Sequence, residues 1–349
     1  MLTVNAMGLR RIAQQAGVSL ATVSMALRNS PKISRATKER VLRVAARLGY
    51  KPNAKITELM SRMRLSRNAH DEICLAVVSF YEDERPWRKS LHLARIYEGM
   101  TQRAEALGYR LEPLWLRAPG MTHSRFRSIL DARGIQGMLC LGSPDIDEEF
   151  PTEFDHYAIV TQGLSIKTPL HRVLPHSYND TWYALERLKA LGYRRPGLAV
   201  GFYEEIRTAH ANVSAYLGWC DHAYGSSAHM PVLKLDRMEE KPLLHWLKRQ
   251  RPDAMVLAHL PDVLPLFSAI MRGHGIRVPE DLGVAVLSQT VEGSGFSGLQ
   301  TNQWLIGAWA VELLVARITN LDLGIPNNPR IEMVESIWID GKSLRPKQN

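Results

Sequence analysis

Fourteen Lys and Arg residues lie within residues 1–70, against two acids, Glu39 and Glu58, so this segment carries +12. The whole chain of 349 residues carries +9, which leaves residues 71–349 at −3. Cationic side chains at that density suit a polyanion, because each contact neutralises a phosphate and releases a counterion. The chemistry of covalent catalysis is missing. No HExxH, GxSxG or phosphate-loop pattern occurs, and the twelve histidines show no metal-ligand spacing. Neither an enzyme nor a cofactor is therefore expected. Gly293-Ser-Gly295-Phe-Ser-Gly298 matches GxGxxG, but the following Leu-Gln-Thr-Asn reads as extended. A dinucleotide site needs a helix to start there, so the run reads as a loop. Cys74, Cys140 and Cys220 are too far apart for a disulfide framework or a metal knuckle, which fits a reducing compartment. No apolar run reaches the ~18 residues of a membrane span, and the N-terminus lacks a signal-peptide core. A cytoplasmic protein with no membrane partner is expected.

The basic segment has the elements to aim its charges. Leu9, Ile12, Ala13 and Ala16 share one face at helical spacing. Gly17 supplies the left-handed residue of a tight turn, Ser19 the cap of a second helix over residues 20–28. Ala13 is small where two helices cross, and Val23 is placed to pack back onto Ile12. Ser34 caps a third helix over residues 35–48, with Val41, Val44, Ala45 and Leu48 inward; Gly49 ends it and Pro52 blocks continuation. This spacing predicts a helix-turn-helix whose second helix enters the major groove. Arg28 and Lys32, just beyond that helix, are expected near phosphate.

The run GLRRIAQQAGVSLATVSMALRNSPKISRATKERVLRVAARLGYKPN resembles the DNA-binding head of the lactose-repressor (LacI/GalR) family. AGVS-x-x-TVS, I-S-x-x-T-x-x-RV and GY-x-PN carry the resemblance. It implies a transcription regulator, expected to be a repressor, that binds double-stranded palindromic operator DNA as a homodimer. By the same resemblance Leu20, Ala21 and Met25 face base edges. Ser19, Thr22, Ser24, Ser34 and Thr37 match phosphate-contacting positions, and Tyr50 and Asn53 match backbone contacts near the hinge. Many members carry Arg where this chain has Met25. Arg binds guanine bidentately, whereas Met offers apolar contact only, so more reliance on groove shape is expected.

Ile56, Leu59, Met60 and Met63 form an apolar stripe after Pro52-Asn53. The resemblance implies a hinge helix here that folds on DNA and inserts Leu59 into the minor groove, kinking a base step. Ile56 is bulkier than the family pattern at its position.

From Ile73 the texture changes to alternating strand-like and helix-like runs, from ICLAVVSF through GMLCL, YAIVT, GLAVG, VLKL, AMVLA and VAVLS to one strand over residues 331–339. Such alternation predicts parallel sheets with helices on both faces, and its length predicts two lobes. The resemblance implies a periplasmic-binding-protein-like (type I) sensor with a small-molecule effector, a sugar or sugar derivative, between the lobes. The usual polar groups are replaced: His259-Leu260 for Asn-Asp, Ser288-Gln289 for an acid, Ala215 for Arg, and His176 for Asp at the lobe crossover. Loop residues could substitute for them. Tyr81 and Trp87 follow the first strand, Phe202, Tyr203 and Arg207 follow GLAVG, and His259, Ser288 and Gln289 end two others. The other reading makes the body a protein-interaction or effector-independent dimerisation module. The acidic run Asp145–Glu149 reads as a solvated helix start.

The fold expected is thus an N-terminal all-α helix-turn-helix head plus an α/β two-lobed sensor. Its parts are the head over residues 1–52, hinge helix and linker over 53–72, an effector-binding and dimerisation domain over 73–340, and an exposed tail over 341–349.

Overall fold

The computed structural model describes residues 10–27, 33–48, 73–225, 230–258, 263–288 and 291–347. In the head, residues 10–16 form α1, Leu20–Leu27 α2 and Arg35–Arg47 α3. Helices this short are marginal alone and hold by shared packing. Ile12, Ala13, Ala16, Val23, Ala26, Val41, Val44 and Ala45 form one buried cluster. Gly17 takes φ +63° between α1 and α2, as the sequence predicts, and Val18 N–H closes on Ala13 C=O at 3.0 Å.

The body has two six-stranded sheets. The first contains β1 (Ile73–Ser79), β2 (Tyr109–Trp115), β3 (Gly137–Cys140), β4 (Ala158–Gln162), β5 (His171–Pro175) and, late in the chain, β11 (Ile331–Val334). Helices α4 (Leu91–Ala106) and α5 (His123–Ala132) accompany it. The chain then crosses to α6 (Ser177–Ala190), β6 (Pro196–Gly201), α7 (Phe202–Arg207), α8 (Ala211–Tyr224), β7 (Leu233–Leu235), α9 (Glu240–Gln250), β8 (Ala254–Ala258), α10 (Val263–Gly273), β9 (Gly283–Ser288) and β10 (Ser297–Gln300). Helix α11 (Gln303–Asn320) returns to the first lobe, and β12 (Ile337–Ile339) ends in the second. Strand orders are β11-β5-β4-β3-β1-β2 and β12-β10-β9-β8-β6-β7; the pairs are parallel except β10 with β12. Helices cover both faces of such sheets, which is why a central strand such as β8 is apolar throughout and β1 is apolar up to Ser79.

One expectation is corrected at the last crossover. Residues 331–339 are two strands in two sheets, broken at Glu335-Ser336. The Glu335 carboxylate accepts from Asn179 Nδ2 at 2.8 Å and lies 2.8 Å from His176 Nδ1, while Ser336 Oγ donates to Asp180 Oδ2 at 2.7 Å. These polar groups tie the last crossover to the first. The stretch Asp145–Glu149 is also corrected, being a turn rather than a helix start. Arg117 holds both Asp145 and Glu148 there.

The tail is corrected as well. Residues 341–347 dock on the second lobe instead of standing exposed. Ser343 is buried; its carbonyl accepts from Val284 N–H at 2.8 Å, and its hydroxyl accepts from Ser297 N–H at 2.8 Å and donates to Val284 C=O. Among the described residues, no helix is long and apolar enough to cross a membrane.

Candidate nucleic-acid interface and inter-lobe cleft

Two helix N-termini in the head expose matching polar arrangements. Ser19 Oγ accepts from Thr22 N–H at 3.1 Å and lies 2.9 Å from Thr22 Oγ1. Ser34 Oγ accepts from Thr37 N–H at 3.3 Å and donates to Thr37 Oγ1 at 2.9 Å. Ser19 and Ser34 are exposed, and Thr22 and Thr37 partly so. Free N–H groups and the positive end of the helix dipole make such termini suited to phosphate. Met25 is partly exposed while its neighbours Val23 and Ala26 are buried, so packing fixes which side of α2 is outward. Leu20, Ala21 and Ser24 lie on this helix, but their side chains fall outside the described set. Arg28, Lys32, Tyr50, Asn53, Ile56 and Leu59 also lie outside the described residues.

The cleft is set by the carboxyl ends of strands in both lobes. From the first lobe come Tyr81, after β1, and Ser143-Pro144, after β3. From the second comes α7, which follows β6 directly. Arg207, at the end of α7, crosses the gap: its Nη2 donates to Ser143 C=O at 2.5 Å and to Pro144 C=O at 2.8 Å. Glu204, one turn earlier, and Arg207 both act electrostatically on the Tyr81 phenol. Burial pushes the Tyr81 pKa up, with Arg207 opposing and Glu204 adding to the rise. Burial also raises the Glu204 carboxyl, and Arg207 opposes this through charge, not through a hydrogen bond. Three of the expected and unexpected polar groups thus meet in one place, two of them from the sequence reading and Glu204 beyond it. The signal for Glu204 lay in Glu204-Glu205, but only packing separates the two. Glu205 is buried and caps α8, accepting from Val213 N–H at 2.9 Å and Asn212 Nδ2 at 3.0 Å.

The other expected cleft residues divide. Phe202 and Tyr203 are exposed at the start of α7, in edge-to-face contact at 5.6 Å. Trp87 has one ring face stacked on Tyr97 at 4.1 Å and 7°, so packing takes that face. Ala215, where the resemblance places Arg, is fully buried on α8. Ser288 closes β9, with its side chain outside the described set, and His259 and Gln289 lie outside the described residues. No group of three or more His, Cys, Asp or Glu among the described residues could hold a metal ion.

Comparison with known proteins matches both parts. The family description "Bacterial regulatory proteins, lacI family" covers residues 8–53. The transcriptional regulator CelR of Thermobifida fusca is 26% identical over 339 residues, spanning 89% of this chain and 92% of CelR. Among solved structures, a CelR–cellobiose complex superposes with TM-score 0.60 at 22% identity, over 96% of this chain and 99% of that one. A lac repressor dimer bound to operator and an anti-inducer gives TM-score 0.57 at 17% identity, over 95% and 97%. These two likenesses establish the two-lobed α/β fold joined to an N-terminal head. With the capped helices of the head and the two sheets of the body in place, residues 8–53 match the LacI family of bacterial regulatory proteins, and the chain over nearly its whole length is similar to the transcriptional regulator CelR.

Proposed function

We propose that this protein is a sequence-specific transcriptional repressor that binds a pseudo-palindromic operator as a homodimer in the cytoplasm, and that a sugar in the inter-lobe cleft controls it. The observation that carries the reading is the head: a helix-turn-helix matched over residues 8–53, with exposed capped termini at Ser19 and Ser34 and a charge of +12 over residues 1–70. Phosphate contacts set its register, and Leu20, Ala21 and Met25 read base edges. Two heads related by twofold symmetry demand an operator with twofold symmetry. The hinge helix orders on DNA and seats Leu59, with Ile56 beside it, in the minor groove. The body acts by binding rather than by turnover. Its effector works through differential affinity for two lobe arrangements. The relatives support a sugar in this role, since one solved neighbour is a complex with cellobiose.

Selection of randomised duplex DNA by the purified protein at about 0.15 M salt tests the head. Recovery of a pseudo-palindrome with a deformable central step is expected; recovery of no motif would overturn the operator reading. A second reading, an effector-independent dimerisation body, is favoured by Ala215, which puts a buried methyl where the family resemblance places Arg. A sugar-induced rise in melting temperature would exclude it.

A further inference from the structure

The short helix α7 is built around a strained joint. Ala209 and His210, between α7 and α8, hold φ of 52° and 62°, a left-handed pair with no glycine. Such conformations persist only where surrounding contacts over-determine them, and they gather at switch and ligand sites. Here the contacts are plain. Glu205 binds the N-terminus of α8, and Asn212 accepts from Thr181 Oγ1 at 3.0 Å, so α7 is pinned from behind. Its other side presents Glu204 and Arg207 to the first lobe.

The first lobe meets Arg207 with a rigid shelf. Ser143 is buried; its N–H donates to Ser165 Oγ at 2.9 Å and its hydroxyl to Glu148 Oε2 at 2.8 Å, with Arg117 holding Glu148. The two carbonyls that receive Arg207 are therefore fixed. Both bonds use Nη2 alone. Among the described residues, the Nε and Nη1 groups of Arg207, the Glu204 carboxylate and the Tyr81 phenol enter no side-chain hydrogen bond. A carboxylate, a guanidinium fork and a phenol, all with spare hydrogen-bonding capacity, converge between the lobes, with the exposed Phe202 and Tyr203 rings on the same helix.

We propose that α7 is the effector-reading latch of this protein: Arg207 bridges the lobes when the cleft is empty, and an uncharged sugar takes over its guanidinium while donating hydroxyls to Glu204. This rests on the reading of the cleft as a sugar site. The chemistry selects a neutral ligand. One carboxylate and one guanidinium cancel in charge, a carboxylate accepts from paired hydroxyls, and a phosphate would meet Glu204 with like charge. The pair supplies on α7 the carboxylate and guanidinium that Ala215 and Ser288 do not.

The test uses the full-length protein with glucose, galactose, lactose, cellobiose and glucose 6-phosphate, read by titration calorimetry and by operator affinity. At least one neutral sugar is expected to bind the wild type. Glu204→Gln and Arg207→Lys, both at partly exposed positions, should weaken it by about 10- to 100-fold, as loss of a charge-assisted hydrogen bond does. Unchanged melting temperatures would show that they fold. Arg207→Ala without sugar should move operator affinity toward the sugar-saturated wild-type value, because removing the latch imitates its release. If a neutral sugar binds the wild type and both conservative variants equally, the latch assignment falls and the sugar reading stands. If only glucose 6-phosphate binds, the neutral-ligand assignment falls. If none of the five binds, the sugar reading falls and takes the latch with it.

Discussion

Met25 is partly exposed on α2, where Val23 and Ala26 are buried. An apolar thioether there can meet a thymine methyl but cannot pair with guanine. Met25→Arg would add a bidentate donor worth about 1–3 kcal/mol of base discrimination. The selected half-site should then gain a guanine at the facing position, as read by repeating the DNA selection; an unchanged logo would remove Met25 from the base-reading set. Asp180 makes a second prediction, in the hinge between lobes. It is 2% exposed, and burial lifts its carboxyl to about 6, with Glu335 adding to the rise and Ser336 and His176 opposing it. An unfolded Asp titrates near about 3.9, so the folded protein holds this proton more tightly between about pH 4 and 6. Stability contributed by the protonated form is fully present below about pH 4 and is lost as pH rises through about 6. Asp180→Asn keeps an acceptor for Ser336 and removes the charge. Its stability relative to wild type should rise by about 1–3 kcal/mol between pH 4 and pH 8. A pH-independent difference in denaturant midpoints would show that Asp180 is not the titrating group.

Elements whose apolar period matches their burial were legible in the sequence, and those whose polar residues are buried were not. Residues 254–258 and 240–250 match β8 and α9 because their apolar spacing alone decides them. Strand β5 was hidden because it carries His171 and Arg172, both buried. Arg172 is tolerated there because its guanidinium donates to the carbonyls of Gly163, Ile166, Leu170 and Thr168. Edge strand β2 carries Arg110, Glu112 and Pro113, which an edge accepts and a sequence pattern disfavours. The candidate cleft was half legible for a similar reason. Aromatic residues after GLAVG announced a site, yet only the capping role of Glu205 leaves Glu204 to the gap. Helix α11 shows what spacing cannot convey. It crosses α4 so closely that a Cβ on Gly307 would lie 2.0 Å from Ile96 O, and one on Gly99 1.9 Å from Trp304 O. Backbone, not a side chain tip, is in the way. Gly307→Ala should force the helices apart and cost about 3 kcal/mol or more in chemical unfolding. A cost below about 0.5 kcal/mol would mean that this crossing is loose.

At the scale of the molecule, charge is partitioned: +12 over residues 1–70 and −3 over the rest. A body of that sign does not attract DNA, so salt sensitivity belongs to residues 1–70, the head with the hinge. Each phosphate neutralised contributes about −0.9 to the slope of log affinity against log salt. A dimer whose heads together make roughly 6–10 phosphate contacts should lose about 10³- to 10⁵-fold in affinity between 50 and 200 mM salt. The slope also separates the two kinds of contact in the head. Met25→Arg changes which half-site wins. If its new donors engage a base, the slope should stay within about one unit of wild type even though two copies carry the change. If the guanidinium went to phosphate instead, the slope would steepen by nearly two and the preferred sequence would not move. Filter-binding titrations of wild type and variant across that salt range, on the wild-type and guanine-bearing operators, decide between these outcomes. A shallow wild-type slope, near two or less, would overturn the paired-head reading itself, since two heads with capped helix termini at Ser19 and Ser34 could not be making so few phosphate contacts.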